Sequence, residues 1–446
     1  MQLHKMLAVA LVGAFGLAGC SAAGSDGSVA SDGSSSSASG ADAVTIWLDD
    51  NVINPCFAEV VTSTWANEDV DVQIELMPDW DSLTKTAVAG GAGPDVIMTP
   101  GVAYTAEFAE AGALVPLDAY AAEFGWGEFF APWALSLGEK DGTLYSLQGE
   151  LETMLIWYNK TLFDEQGITP PTTIAELDAV ADQFSALGIQ PFASGNTDWQ
   201  GVNEWLISGI FNGYAGGAAV HSALAGEGSF TDQPFVEATD LLDKWMKAGY
   251  ISGGLDRYYV TTIDEYLAQL ANGSAAMNIE GSWRFENIDE FFTEAGTEWD
   301  WIPFPSPDGS PQFSIGTGSS WAVNANSDNP DDAATVLSHI FNPQVQAQLA
   351  VDCGFATGPV AVNAADLEGL DSRQARLYVE VAEASASGEY GYLTWSFWGP
   401  KSNTYLIQEV EKVWSGSMTS QEYLQGLSDL YLEELEAGLT PPLPAR

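Results

Sequence analysis

Histidine, cysteine and basic side chains are all scarce in this chain of 446 residues, which has 3 His, 3 Cys and 13 Lys+Arg. The histidines (His4, His221 and His339) lie far apart, and no His-x-x-x-His or Cys-x-x-Cys pair occurs. Zinc-hydrolase and thiol-redox chemistry are therefore excluded, and no metal ligands are expected. A Gly-x-Ser-x-Gly elbow is also missing. Gly316-Thr317-Gly318 opens like a dinucleotide loop, but Trp321 stands where the third glycine belongs, so no cofactor is expected either. Set against 62 Asp+Glu, the few cations leave a net charge of -49. Such a surface repels phosphate backbones and anionic headgroups, which argues against nucleic-acid partners and favours a solvated, soluble exterior. Carboxylate pairs are unavoidable among 62 acids and carry no argument for a glycosidase. Beyond the N-terminus no apolar run is long enough to span a bilayer.

What the chain has in quantity is apolar and aromatic. Hydrophobic residues make up 46%, ample for a sizeable core. There are 16 Trp beside 15 Tyr and 20 Phe, more Trp than Lys and Arg together. Many of these rings belong to the core, but the surplus suits a protein that stacks flat, partly apolar ligands such as sugar rings.

Residues Met1 to Cys20 read as an export signal: Lys5 supplies the charge, and Met6 to Leu17 form a short apolar run. The run ends in Leu17-Ala18-Gly19-Cys20, which resembles the lipobox of bacterial lipoproteins, where cleavage precedes a lipidated cysteine. Ser21 to Asp42 is almost entirely Ser, Gly, Ala and Asp and reads as a flexible tether reaching ~25 Å. The expectation is a protein on the outer face of the cell membrane, held by lipid at Cys20.

The body alternates strands and helices. Val44-Thr45-Ile46-Trp47-Leu48 is a strand closed by Asp49-Asp50-Asn51, Val70 to Leu76 is a second, and Pro94 to Met98 a third. Thr84 to Ala89 reads as a short helix stopped by Gly90-Gly91. From Ile174 the spacing is helical, with Pro170-Pro171-Thr172-Thr173 as turn and N-cap, and Asp264 to Met277 repeats a helix-strand unit. This pattern predicts an α/β fold with mainly parallel sheets and two lobes. Ligands of such sheets bind at the carboxyl ends of strands, which directs attention to Asp49, Asp50, Asn51, Thr99 and Gly101.

Several segments together resemble the solute-binding lipoproteins of bacterial ABC importers, in their carbohydrate branch. They are Ala92-Gly93-Pro94-Asp95-Val96-Ile97, Gly112-Ala113-Leu114-Val115-Pro116-Leu117-Asp118 and Asp141-Gly142-Thr143-Leu144-Tyr145-Ser146-Leu147. Trp157-Tyr158-Asn159-Lys160-Thr161-Leu162-Phe163, Gly167 to Thr173, Gly273-Ser274-Ala275-Ala276-Met277 and Gly281-Ser282-Trp283 follow in the same order, spanning about residues 44 to 435. Gln148 departs from the proline usual after the Tyr-x-Leu strand, and no Arg or Lys follows Asp49 where maltose binders carry one. The resemblance implies a periplasmic-binding-protein-like α/β fold, with two lobes joined by hinge strands and the ligand cleft between them. Lobe 1 would hold residues 43–150 and 306–348, lobe 2 residues 151–305 and 349–440, with crossings near Glu150 to Thr153, near Pro305 and near 349–356. It implies a monomer that is not an enzyme and that delivers a neutral oligosaccharide to ABC permease subunits. A tethered glycosidase and a surface glycan-binding adhesin are the alternatives.

The resemblance also implies a ligand set. Trp283, at the end of Glu280-Gly281-Ser282-Trp283, matches the aromatic that stacks on a sugar ring; Trp395 or Trp398 matches a second platform, and Trp199 a third position. Glu152 matches a hinge carboxylate, and Asp49, Asp50 and Asn51 are strand-end acceptors. Trp80, Asn203, Glu280, Gly316 and Gly318 complete the expected site. Once Cys20 is lipidated, Cys56 and Cys353 remain, an even pair that could form a disulfide or stay as thiols.

Overall fold

The computed structural model describes residues 43–50, 54–67 and 69–444. The export signal, Cys20, the Ser/Gly tether and Asn51 lie outside the described residues. In chain order the strands are β1 (Val44–Leu48), β2 (Val72–Leu76) and β3 (Val96–Thr99), then a hairpin of β4 (Glu139–Lys140) and β5 (Thr143–Leu144), and β6 (Ser146–Gln148). After β7 (Leu151–Asn159) come β8 (Gln190–Ala193), β9 (Ala275–Gly281), β10 (Trp299–Pro303) and β11 (Ser314–Thr317). β12 (Ser320–Val323) and β13 (Gly391–Tyr392) are the last two.

Two sheets carry the two lobes. The first has the order β2-β1-β3-β12-β6; the second runs β13-β11-β7-β9-β8, with β10 also paired to β7. β1 is parallel to β2 and β3, and β8 to β9, as the alternating pattern predicts. The sheets are nonetheless mixed: β12 is antiparallel to β3 and β6, and β7 is antiparallel to β9, β10 and β11. Parallel pairing needs a crossover helix. The strands that enter directly from the other lobe, β7 and β12, have none. β7 is the central strand of its sheet, and Met154-Leu155-Ile156-Trp157-Tyr158 is buried throughout, as a strand covered on both faces must be.

Helices cover these sheets for local reasons. In the helix Ile174–Ala186, Thr173 and Glu176 form a capping box, and Ile174, Leu177, Val180, Ala181 and Phe184 make one buried stripe. The helices Ile263–Ala271 and Ser420–Glu436 open with capping boxes of the same kind, Thr262 with Glu265 and Thr419 with Glu422. No helix among the described residues is long and apolar enough to cross a membrane.

The chain passes between the sheets three times, at adjacent points. The first passage is Gly149-Glu150, between β6 and β7. The second is Gly318-Ser319, between β11 and β12, rather than the expected Pro305. Residues after Pro305 turn back through a Phe304–Gln312 bridge into β11, which pairs with β7, so 306–317 belong with the second sheet. The third follows the helix Pro343–Cys353, whose Val345, Leu349 and Cys353 pack in the first core; this helix therefore belongs to the first lobe. Backbone bonds join the passages: Gly149 N to Ser319 O (2.9 Å), Gly318 N to Glu150 O (2.9 Å) and Leu151 N to Thr357 O (2.7 Å). Gln148, fully buried, adds a side-chain bridge, its Oε1 accepting from Ser320 Oγ at 2.7 Å and from Thr317 Oγ1 at 3.3 Å. Cys56 and Cys353 are bonded, with Cα atoms 5.7 Å apart, joining the helix Asn54–Thr64 to the end of Pro343–Cys353.

Candidate ligand-binding cleft

A cleft of about 530 Å³ opens where the passages meet. Asp49 after β1, Asn54, Trp80, and Met98 and Pro100 at the end of β3 line one side. These are carboxyl ends of strands and the helix starts that follow them, where ligands of α/β sheets bind. The other side is Ser282 to Asn287, the chain just beyond the carboxyl end of β9. Glu150, Glu152 and Gly318 from the first two passages line it as well, with Gly354-Phe355-Ala356 from the third.

The first-lobe wall is braced from within. Asn54 Nδ2 donates to Asp49 O at 3.0 Å and to Asp49 Oδ1. Trp80, which opens the helix Trp80–Ala89, has its indole N–H buried without a hydrogen-bond partner among the described residues.

Four tryptophans extend from the opposite wall. Trp283 lies 5.0 Å from Trp205 and 5.6 Å from Trp395, ring centre to ring centre, and Trp205 lies 4.8 Å from Trp199. Trp199 is 53% exposed, so the row runs from the cleft to open solvent. Packing holds the row in place: Arg284 lies over the Trp205 ring at 5.9 Å, and its Nε donates to buried Glu280. Glu280 also accepts from Tyr266 OH at 2.8 Å. Burial opposes the Arg284 charge, but Glu280 and Tyr266 outweigh it and its pKa rises. On either side of Trp395, Thr394 and Trp398 are tied to Glu204, whose Oε1 accepts from Thr394 Oγ1 at 2.5 Å and from Trp398 Nε1 at 3.1 Å.

Carboxylates dominate the cleft's charge. Burial raises the Glu150 pKa, and a hydrogen bond from Ser319 partly offsets this. Glu152 is pushed well up, first by burial and then by Glu150, with Arg284 pulling it down. Gly318 leaves room for it: a Cβ there would lie 2.4 Å from Glu152 Oε1 and would push the carboxyl aside.

Of the expected site residues, Asp49, Trp80, Glu152, Trp283 and Gly318 line the cleft, and Trp199 and Trp395 join it through the tryptophan row. The structure places the others elsewhere. Asp50 is exposed outside the cleft. Thr99 is buried and donates to the carbonyls of Gly101 and Ser320, while Gly101 caps the next helix at φ 93°, a backbone role. Asn203 is fully buried and engaged by Asn196, Tyr258 and Ile407. Glu280 acts behind the wall on Arg284. Gly316 makes room for Leu393, which a Cβ would meet at 2.6 Å. Trp398 packs in the core against Phe230 and Tyr431, so Trp395 is the ring of that pair that joins the row. Sequence reasoning missed Trp205, Glu150 and Phe355. Trp205, six residues after Trp199, was the most accessible of these.

Residues 56–347 match the family described as bacterial extracellular solute-binding protein. This chain belongs to that family. A maltotriose-binding protein of Pyrococcus abyssi is 26% identical over 294 residues, 64% of this chain and 59% of that relative, so the match spans under two thirds of its length. A probable sugar-binding periplasmic protein of Rhizobium meliloti is 24% identical over 76% of this chain and 84% of its own. Among solved structures, a chitin oligosaccharide binding protein superposes with a TM-score of 0.72 at 22% identity, over 88% of this chain and 99% of that one. The GacH receptor of Streptomyces glaucescens, solved unliganded and with acarbose, gives 0.66 at 20% identity over 88% and 98%. The two-lobed periplasmic-binding-protein fold expected from the sequence is thus the fold observed.

Proposed function

We propose that this extracellular solute-binding protein is the receptor of an ABC importer, closing its two lobes over an uncharged oligosaccharide and handing it to permease subunits. The tryptophan row, whose Trp283 lines the cleft, carries this reading. Flat rings match the apolar faces of pyranoses, and the carboxylates beside them can each take several hydroxyl hydrogen bonds. The names of its sugar-binding relatives support the ligand class. Arg284, the one cation lining the cleft among the described residues, already has Glu280 as its partner, which disfavours anionic sugars.

In this reading the protein is a monomer held to the outer face of the cell membrane by lipid on Cys20, and it performs no chemistry on the sugar. A glycan panel screened by thermal shift tests it. A bound oligosaccharide at a hundredfold its Kd adds about 2.7 kcal/mol of stability and comes back uncleaved. Release of shorter products would favour a tethered glycosidase instead. Tight binding of polymer without lobe closure would favour an adhesin.

A further inference from the structure

Glu150 and Glu152 stand two residues apart as the chain enters β7, and both line the cleft. In extended chain, residues i and i+2 share a face, so the two carboxyls are neighbours. The charged groups around Glu152 are Glu150 on its own segment, Asp49 beyond β1, Glu280 at the end of β9, Arg284 next to Trp283, and Glu286 in the following helix. Only Arg284 is positive, and its Nε is bonded to Glu280. Among the described residues nothing donates a hydrogen bond to Glu152, and its Oε1 lies against the bare backbone of Gly318. A carboxylate with no donor, no free cation and an acidic neighbour on the same face is the arrangement that favours the neutral acid.

We propose that Glu152 meets the solute as a carboxylic acid, donating its O–H to a ligand oxygen, and that capture above the midpoint of the empty protein therefore takes up a proton from solvent. The ligand in this statement rests on the sugar-receptor reading; the protonation does not. Burial and Glu150 already raise the Glu152 pKa in the empty cleft. Closing over a sugar removes the remaining water and raises it further. By linkage, affinity is then highest at low pH, and Kd climbs by up to tenfold per pH unit above the midpoint of the empty protein. Glu150 and Glu152 titrate as a pair, so that midpoint belongs to both.

Two measurements test this. Infrared or carboxyl ¹³C titration of the empty protein, with the signal assigned by its loss in Glu152→Gln, should show Glu152 keeping its proton well above the pH at which an ordinary glutamate loses it. Calorimetry with maltotriose and a chitin trisaccharide, from pH 5.5 to 9 in buffers of different ionisation enthalpy, should show uptake approaching one proton per sugar above the midpoint. In Glu152→Gln the affinity, whatever its level, should not depend on pH. In Glu150→Gln the midpoint should move to lower pH. A Glu152 carboxyl ionised across the whole range, or proton uptake that persists in Glu152→Gln, overturns the proposal. If neither sugar binds, the ligand reading falls while the titration still decides the protonation.

Discussion

Glu204 has one carboxyl oxygen bonded twice and the other, Oε2, buried with no hydrogen-bond partner among the described residues. Burial raises its pKa to about 8, partly offset by the bonds from Thr394 and Trp398. The folded value lies above the unfolded one, so the stabilisation is complete below about pH 4.5 and is lost as pH rises through about 8. A shift of that size corresponds to roughly 5 kcal/mol. Glu204→Gln, which stays neutral, should be the more stable protein at pH 9, and the difference between urea melts of variant and wild type should shrink toward pH 5. Trp283 offers a different test, because its neighbours Trp205 and Trp395 are held by other groups. Trp283→Ala should weaken sugar binding a hundredfold or more while lowering the melting temperature of the empty protein only slightly. Calorimetry beside a thermal melt checks both halves. An apo protein that unfolds would make Trp283 a core ring.

Cleft-lining positions were legible in the sequence where a family motif marks them, as with Trp283, or where a strand visibly ends, as at Asp49. They were not legible where tertiary partners decide. Asn203 and Thr99 look like ligand acceptors in sequence, but their polar atoms are engaged by Tyr258, Ile407 and Ser320, far along the chain. Trp398 is drawn into the core by Glu204, a residue nearly two hundred positions earlier, and by Phe230 and Tyr431, while Trp395 meets Trp283.

Among the elements, β1, β2, β3 and the helix Ile174–Ala186 follow their sequence patterns closely because each makes its own period and caps. The change of sheet at Gly318-Ser319 could not be read that way. Proline-rich Pro303 to Pro307 is the louder signal, yet it only turns the chain back toward β7, while the real crossing is fixed by pairing with Gly149 and Glu150. Gln148 takes part in that crossing, bridging strands of both sheets from the position where the resembling family has proline. Gln148→Ala would leave the buried hydroxyls of Thr317 and Ser320 without their acceptor, at a cost of about 1–3 kcal/mol. Because the lost bridge spans the two sheets, the same variant should also change sugar affinity without touching the cleft. Denaturant melts and calorimetry on one preparation would show whether the two effects occur together.

At the scale of the whole molecule, the net charge of -49 is an envelope rather than a recognition device. Affinity for a neutral sugar should therefore vary little between low and high salt at fixed pH, since no ionic contact to the ligand is screened. A steep dependence would mean that the ligand is charged. Sugar should also shrink the radius of gyration measured by X-ray scattering, as the two sheets turn about their three adjacent passages.

The Cys56–Cys353 bond closes a ring of chain with a sequence separation of 297, and the whole of β2 through β12 lies inside it. A protease that cuts once anywhere between those cysteines would therefore release nothing. The nicked protein should migrate at full mass on a gel without reductant and separate into two pieces with it. For a member of an extracellular family, where proteases are met and thiols stay oxidised, a single cut in an exposed loop would leave both halves of the cleft tied to the same molecule.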